Sequence, residues 1–252
     1  MSLDNFLTVD DQSISLRQAL AYLRASGDLE QFLTRILRQY VIEQELSNST
    51  DLEADSSEVE QAIINFRLQN QLVPADRFDE WLKSRGLNYT GFREQVGVGL
   101  KMERLKQRVS QTAATEFFEK NKAEFEQVVL SRIVVADAAL AAELKQQLVA
   151  SQAGFEELVK QHSLTSDRAY NGMMGTFSLG QLPAPVRTTI AGAAPGDVVG
   201  PLEMEGRYTL LRIEQRLPAS FEGQLKQNLE NQMFDKWWQE QLKDKAVKMT
   251  IE

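Results

Sequence analysis

The apolar residues of this chain keep a helical period at both ends and lose it in the middle, and that change of texture constrains the fold most. Leu29, Phe32, Leu33, Ile36, Leu37, Tyr40 and Val41 recur at steps of three and four, which predicts one broad apolar face on a helix starting near Asp28. Before it, Ser15 is placed to cap a helix carrying Leu16, Leu20 and Leu23 and ending near Gly27. Asp55 followed by Glu58 has capping-box spacing ahead of Val59, Ile63 and Phe66. Pro74 breaks the pattern, a short helix with Phe78, Trp81 and Leu82 ends at Gly86, and Val98, Met102, Leu105 and Val109 mark a longer one.

After Thr115 the pattern changes. Val128 to Val135 is rich in β-branched residues and reads as a strand. Leu140, Leu144 and Leu148 align on a helix from Asp137 to Ser151, and Phe155, Leu158 and Val159 suggest a shorter one. Glycines and prolines then cluster up to Pro201, as in loops and turns, and Tyr208 to Gln215 alternates as a strand. Phe221 to Lys245 is again helical and is expected to pack on the N-terminal helices. Phe6–Val9 and Val247–Ile251 read as short terminal strands that pair with each other. The fold class this predicts is α+β, a small antiparallel sheet with helices between helical ends.

Composition limits the chemistry. A formal net charge of -8 argues against nucleic acid and against an anionic membrane surface as partners. With no cysteine and the single histidine His162, thiol chemistry is absent, and a zinc site or a Ser-His-Asp triad has too few residues to form. We expect no metal and no cofactor, and read His162 as a helix-end residue. No run of apolar residues is long enough for membrane insertion as a span. The segment Met1–Leu7 lacks the basic start and apolar run of a signal peptide. A native N-terminus would mean a cytoplasmic protein, and a removed signal a periplasmic or other extracytoplasmic one.

An ordered set of short motifs is more specific than any of these. Ser131-Arg132-Ile133-Val134-Val135 is followed by Phe155 to Ser163, then Asn171-Gly172-Met173-Met174-Gly175-Thr176-Phe177, and Gly180-Gln181-Leu182. Gly196-Asp197-Val198-Val199-Gly200-Pro201 and Gly206-Arg207-Tyr208-Thr209-Leu210 complete the series. In this order and spacing it resembles the parvulin (PpiC-like) family of peptidyl-prolyl isomerases. The flanks agree: Glu116 to Phe125 is similar to the helix that introduces parvulin domains in SurA and PrsA chaperones, and Leu52 to Val109 to their helical N-terminal domain. The resemblance implies a SurA/PrsA-like helical domain over 1–124, a parvulin-like domain over 125–217, and a C-terminal helix and strand over 218–252 packing on the first.

Isomerisation about an Xaa-Pro bond has to surmount roughly 18–20 kcal/mol of lost amide resonance and needs neither nucleophile nor metal. It needs an apolar seat for the proline ring and polar groups that favour the twisted amide over the planar one. The resemblance assigns the seat to Met174, Phe177, Leu182 and Val186, with Val186 standing where a larger phenylalanine is usual. It assigns the polar network to Arg132 and Tyr208, each in place of a histidine, and to Thr165, with Asp167 a rival for that position. A network built on Arg132 stays charged at every ordinary pH and cannot perform histidine chemistry.

Two functions follow from the resemblance. One is a parvulin-type isomerase and foldase acting on unfolded or proline-containing polypeptides. The other is a non-catalytic chaperone or secretion-associated adaptor that keeps only the peptide-binding surface. Partners it admits are client polypeptides, secretion machinery and a second copy in a homodimer. Trp237 and Trp238 are adjacent on a helix and cannot face one direction. One is expected in the core, and the other is a candidate anchor for unfolded chain.

Overall fold

A computed structural model describes residues 6–249. It divides into two compact units, Met1–Ala114 with Gln227–Glu252, and Thr115–Lys226. In the first, strands β1 (Leu7–Val9) and β2 (Gln12–Ile14) form an antiparallel hairpin, turned at Asp10 with φ +49°. Leu7 therefore pairs with Ile14, not with the C-terminal segment. Residues 247–249 form no strand, and the rest of the expected Val247–Ile251 strand lies outside the described residues. Apolar character alone does not choose a strand's partner. A tight turn two residues away closes a loop at far lower entropic cost.

Helices α1 (Leu16–Ser26), α2 (Leu29–Asn48), α3 (Ser56–Gln69), α4 (Ala75–Ser84) and α5 (Tyr89–Lys120) follow. Capping boxes close at Ser15 with Gln18 and at Asp55 with Glu58, each satisfying free N–H groups of the first turn. Helix α5 runs through Thr115 without a break, although the sequence changes texture there. One cluster gathers Val59, Ile63, Phe78, Leu82 and Phe92 with Trp81 and Phe66, whose rings meet edge to face at 5.1 Å.

The second unit is built on strands β3 (Gln127–Val135), β4 (Met173–Ser178), β5 (Val198–Met204) and β6 (Arg207–Leu217). They form an antiparallel sheet in the order β4-β3-β6-β5. Short helix α6 (Lys122–Phe125) leads into it, and α7 (Ala138–Val149), α8 (Phe155–His162) and α9 (Ala184–Ile190) cover it. Successive side chains of a strand point to opposite faces, so the sheet has two cores. Ile133, Val135 and Leu210 pack with Phe155, Leu158, Val159 and Leu144 of α7 and α8. Val128, Leu130, Leu211 and Ile213 pack with Leu182, Val186 and Ile190 at α9.

The terminal helix α10 (Gly223–Glu240) is shorter than the expected 221–245. Its Phe234 and Trp238 are buried with Val41, Ile42, Leu52 and Leu105 of the first unit. Trp237 is half-buried, its ring 5.4 Å from that of Phe234. Neither tryptophan is a free anchor. Among the described residues no helix is long and apolar enough to cross a membrane.

Candidate active site

The site begins with the approach of two backbones. Asn171 and Gly172 both have positive φ, +57° and +77°, and turn the chain so that Gly172 lies against β3. The Gly172 carbonyl accepts from the Arg132 N–H at 2.8 Å, while its own N–H donates to the Asp167 carbonyl at 2.9 Å. A Cβ at Gly172 would sit 2.3 Å from the Arg132 carbonyl oxygen, a distance no side chain tolerates. Gly200 makes the corresponding approach to β6, where a Cβ would lie 2.6 Å from the Thr209 carbonyl. These glycines explain the spacing of the motifs: each permits one close crossing in the sheet.

The crossing delivers a polar chain. Arg132 Nε donates to Asp167 Oδ2 at 2.6 Å, and Thr165 Oγ1 donates to Asp167 Oδ1 at 2.5 Å. Ser163 Oγ lies 3.1 Å from Thr165 Oγ1 and accepts the Val134 N–H at 3.3 Å. Arg132 remains 34% exposed in its side chain, Asp167 only 14%. Both Asp167 oxygens are thus engaged, and its carboxylate fixes the guanidinium by a charge-assisted bond. Of the two rivals for this position, Asp167 takes the arginine and Thr165 supports it.

Tyr208 does not join them. The β3–β6 register pairs Arg132 with Leu211 and Val135 with Tyr208, three residues along, so the two side chains face opposite ways. Tyr208 is half-buried against the Ile133–Val135–Leu210 core. That alternation separates Tyr208 from the polar network that Arg132 enters. Buried Thr209, paired with Val134, is a polar residue that β6 contributes on Arg132's side, next to the apolar Leu211 that pairs with Arg132 itself.

The four apolar positions do assemble. Met174, Phe177, Leu182 and Val186 all belong to the core on the Arg132 side of the sheet. Met174 and Phe177 are half-buried, whereas Leu182 and Val186 are 7% and 6% exposed and pack into the core behind them. Next to the polar chain is an open hollow of about 740 Å³ lined by Lys160, Ser163, Leu164, Thr165, Ser166, Arg168 and Ala169. A second hollow, about 290 Å³, lies between α6 and α9 and uses none of the four apolar residues.

On the opposite face Arg212 forms a different arrangement. Its Nε donates to Glu214 at 2.8 Å, its Nη2 to Glu156 at 2.6 Å, and its guanidinium lies 4.3 Å from the centre of the Phe155 ring. The hydrogen bond from Arg212 holds the Glu156 carboxyl below its ordinary value.

A four-stranded antiparallel sheet with helices on both faces, closed by glycine crossings that fix a polar chain beside an apolar shelf, is the arrangement of a parvulin-type domain. The family model of the PPIC-type PPIASE domain matches residues 109–223, and that part of the chain is such a domain. Beyond that domain, most of the chain is similar to SurA in sequence and to PrsA in fold. Chaperone SurA of Pseudomonas aeruginosa is 25% identical over 238 residues, which cover 84% of this chain and 57% of SurA. Chaperone SurA of Pseudomonas syringae pv. syringae is 25% identical over 242 residues, 86% of this chain and 56% of that protein. The chain therefore spans little more than half the length of these relatives. The PrsA peptidylprolyl isomerase of Bacillus cereus superposes with a TM-score of 0.51 at 19% identity, covering 98% of this chain and 94% of PrsA. That likeness is one of fold.

Proposed function

We propose that the protein is a foldase that binds unfolded or proline-containing polypeptides and catalyses isomerisation of Xaa-Pro bonds on the Arg132 face of its sheet. The observation that carries this reading is the placement of an anchored cationic donor on the same face as Met174 and Phe177. The shelf seats the proline ring, and the guanidinium meets carbonyl oxygen whose hydrogen-bonding power changes as the amide twists. Asp167 and Thr165 orient Arg132 and do not exchange protons with substrate. Likeness to the chaperones SurA and PrsA supports the foldase class. An extracytoplasmic compartment belongs to this reading.

The test is exchange or protease-coupled isomerisation of Xaa-Pro peptides by the full chain and by Phe177→Ala. Acceleration by the parent, lost in the variant, is expected. A parent rate equal to the uncatalysed one would sink the catalytic reading.

One observation favours client binding without catalysis as a parallel role. Phe32, Ile36 and Tyr40 fall four residues apart on α2 and stay 36%, 48% and 48% exposed, one apolar stripe on the first unit. Suppression of aggregation of an unfolded client, weakened in Phe32→Ser/Ile36→Ser/Tyr40→Ser, is the expected result. Removing α10 is not a fair test, because Phe234 and Trp238 are core.

A further inference from the structure

We propose that Arg132 selects Xaa-Pro segments in which the residue before proline is acidic. This rests on the reading of the Arg132 face as the peptide site. The guanidinium is a planar fork of five donors that cannot lose its charge. Only Nε is used, on Asp167; among the described residues the two terminal amino groups have no hydrogen-bond partner. Asp167 cannot swing to serve them, since its second oxygen is held by Thr165 and that hydroxyl by Ser163. The donors therefore present a fixed, partly exposed edge that a planar carboxylate matches in two parallel hydrogen bonds.

The surroundings have the same sign. The hollow that shares Ser163 and Thr165 with the polar chain is also lined by Lys160 and Arg168, and no carboxylate lines it. In a chain of net charge -8 this is a local reversal, which draws an anionic group toward the site. Arg212 shows the alternative: both its outer edge and its Nε are occupied by the protein's own glutamates. Arg132 has one internal carboxylate and room for an external one.

The experiment measures binding of labelled Ala-Glu-Pro-Phe, Ala-Gln-Pro-Phe and Ala-Lys-Pro-Phe peptides to the full chain by fluorescence anisotropy, with isomerisation of the same peptides followed in parallel. The Glu peptide is expected to bind about tenfold more tightly than the Gln peptide, the scale of a hydrogen bond to a charged group. The margin shrinks at high salt. Arg132→Gln removes the preference and Arg132→Glu reverses it in favour of the Lys peptide. Equal affinity of the parent for all three peptides overturns the proposal. So does a preference that survives in Arg132→Gln and disappears in Lys160→Gln/Arg168→Gln. Turnover without acidic preference leaves the isomerase reading standing and this one fallen. Acidic preference without turnover does the reverse. Absence of binding to any of the peptides overturns both.

Discussion

Arg132 and Arg212 sit one residue apart in register on β3 and β6, yet they face opposite sides of the sheet and perform different tasks. Arg212 is spent on structure: it stacks on Phe155 of α8 and holds Glu156 and Glu214. Arg132 is held by one carboxylate and left open at its outer edge. The difference follows from what covers each face. Helices α7 and α8 close one side over Ile133, Val135 and Leu210, while on the other, where α9 packs, Met174 and Phe177 stay half-buried on the same face as Arg132. An arginine in a sheet is a clamp or a contact depending on how many of its donors the protein has already used.

The change that should break both sides at once is Gly172→Ala. It forces a Cβ into the Arg132 carbonyl at a positive φ and is expected to cost about 3 kcal/mol, read by chemical denaturation. A loss under about 1 kcal/mol would mean that the crossing relaxes and does not fix Arg132. Next, Arg212→Gln should cost about 2 kcal/mol, since it removes a ring contact and leaves the largely buried Glu214 carboxylate without its partner. Peptide affinity should hold steady in that variant. Arg132→Gln is expected to cost about 1 kcal/mol or less, because glutamine still donates to Asp167, while peptide binding falls. If the two arginine variants lose stability equally and neither affects binding, the contrast is wrong.

The smallest effect is a pH dependence. Hydrogen bonding to Arg212 lowers the Glu156 pKa below the ordinary value near 4.5. A depressed carboxylate stabilises the fold above that value, and the contribution is lost as the pH falls through the lowered one. Glu156 is 47% exposed, so screening leaves only a few tenths of a kcal/mol. Acid titration of Arg212→Gln beside the parent should show a slightly smaller loss of stability on acidification in the variant. An identical acid slope would show that the pair contributes nothing measurable.

Much of this was legible in the sequence, and for physical reasons. Helical steps located α2 and α3 because a half-buried helix must repeat its apolar face. The capping spacing of Asp55 and Glu58 set the start of α3. The motif series located the domain because its glycines are steric necessities. What failed was whatever depended on register. Strands β4 and β5 lay in a stretch rich in glycine and proline that read as loop, since backbone crossings there replace side-chain alternation. The motif sets Tyr208 and Arg132 in one network because its letters carry no face, and a shift of three residues is invisible until the pairing is known. In the sequence Asp167 is only a rival to Thr165, because the Arg132 that selects it lies 35 positions earlier in the chain.

The Asn171–Gly172 crossing has a consequence for how such chains are recognised. A pattern keyed to that glycine detects a place where two main chains nearly touch, and it scores the same whatever side chain β3 presents there. Detection and chemistry are thus written in separate positions. Substitution at residue 132 can retune or silence the site while the signature stays intact, so catalogues built on the signature will group active rotamases with relatives that only hold their clients.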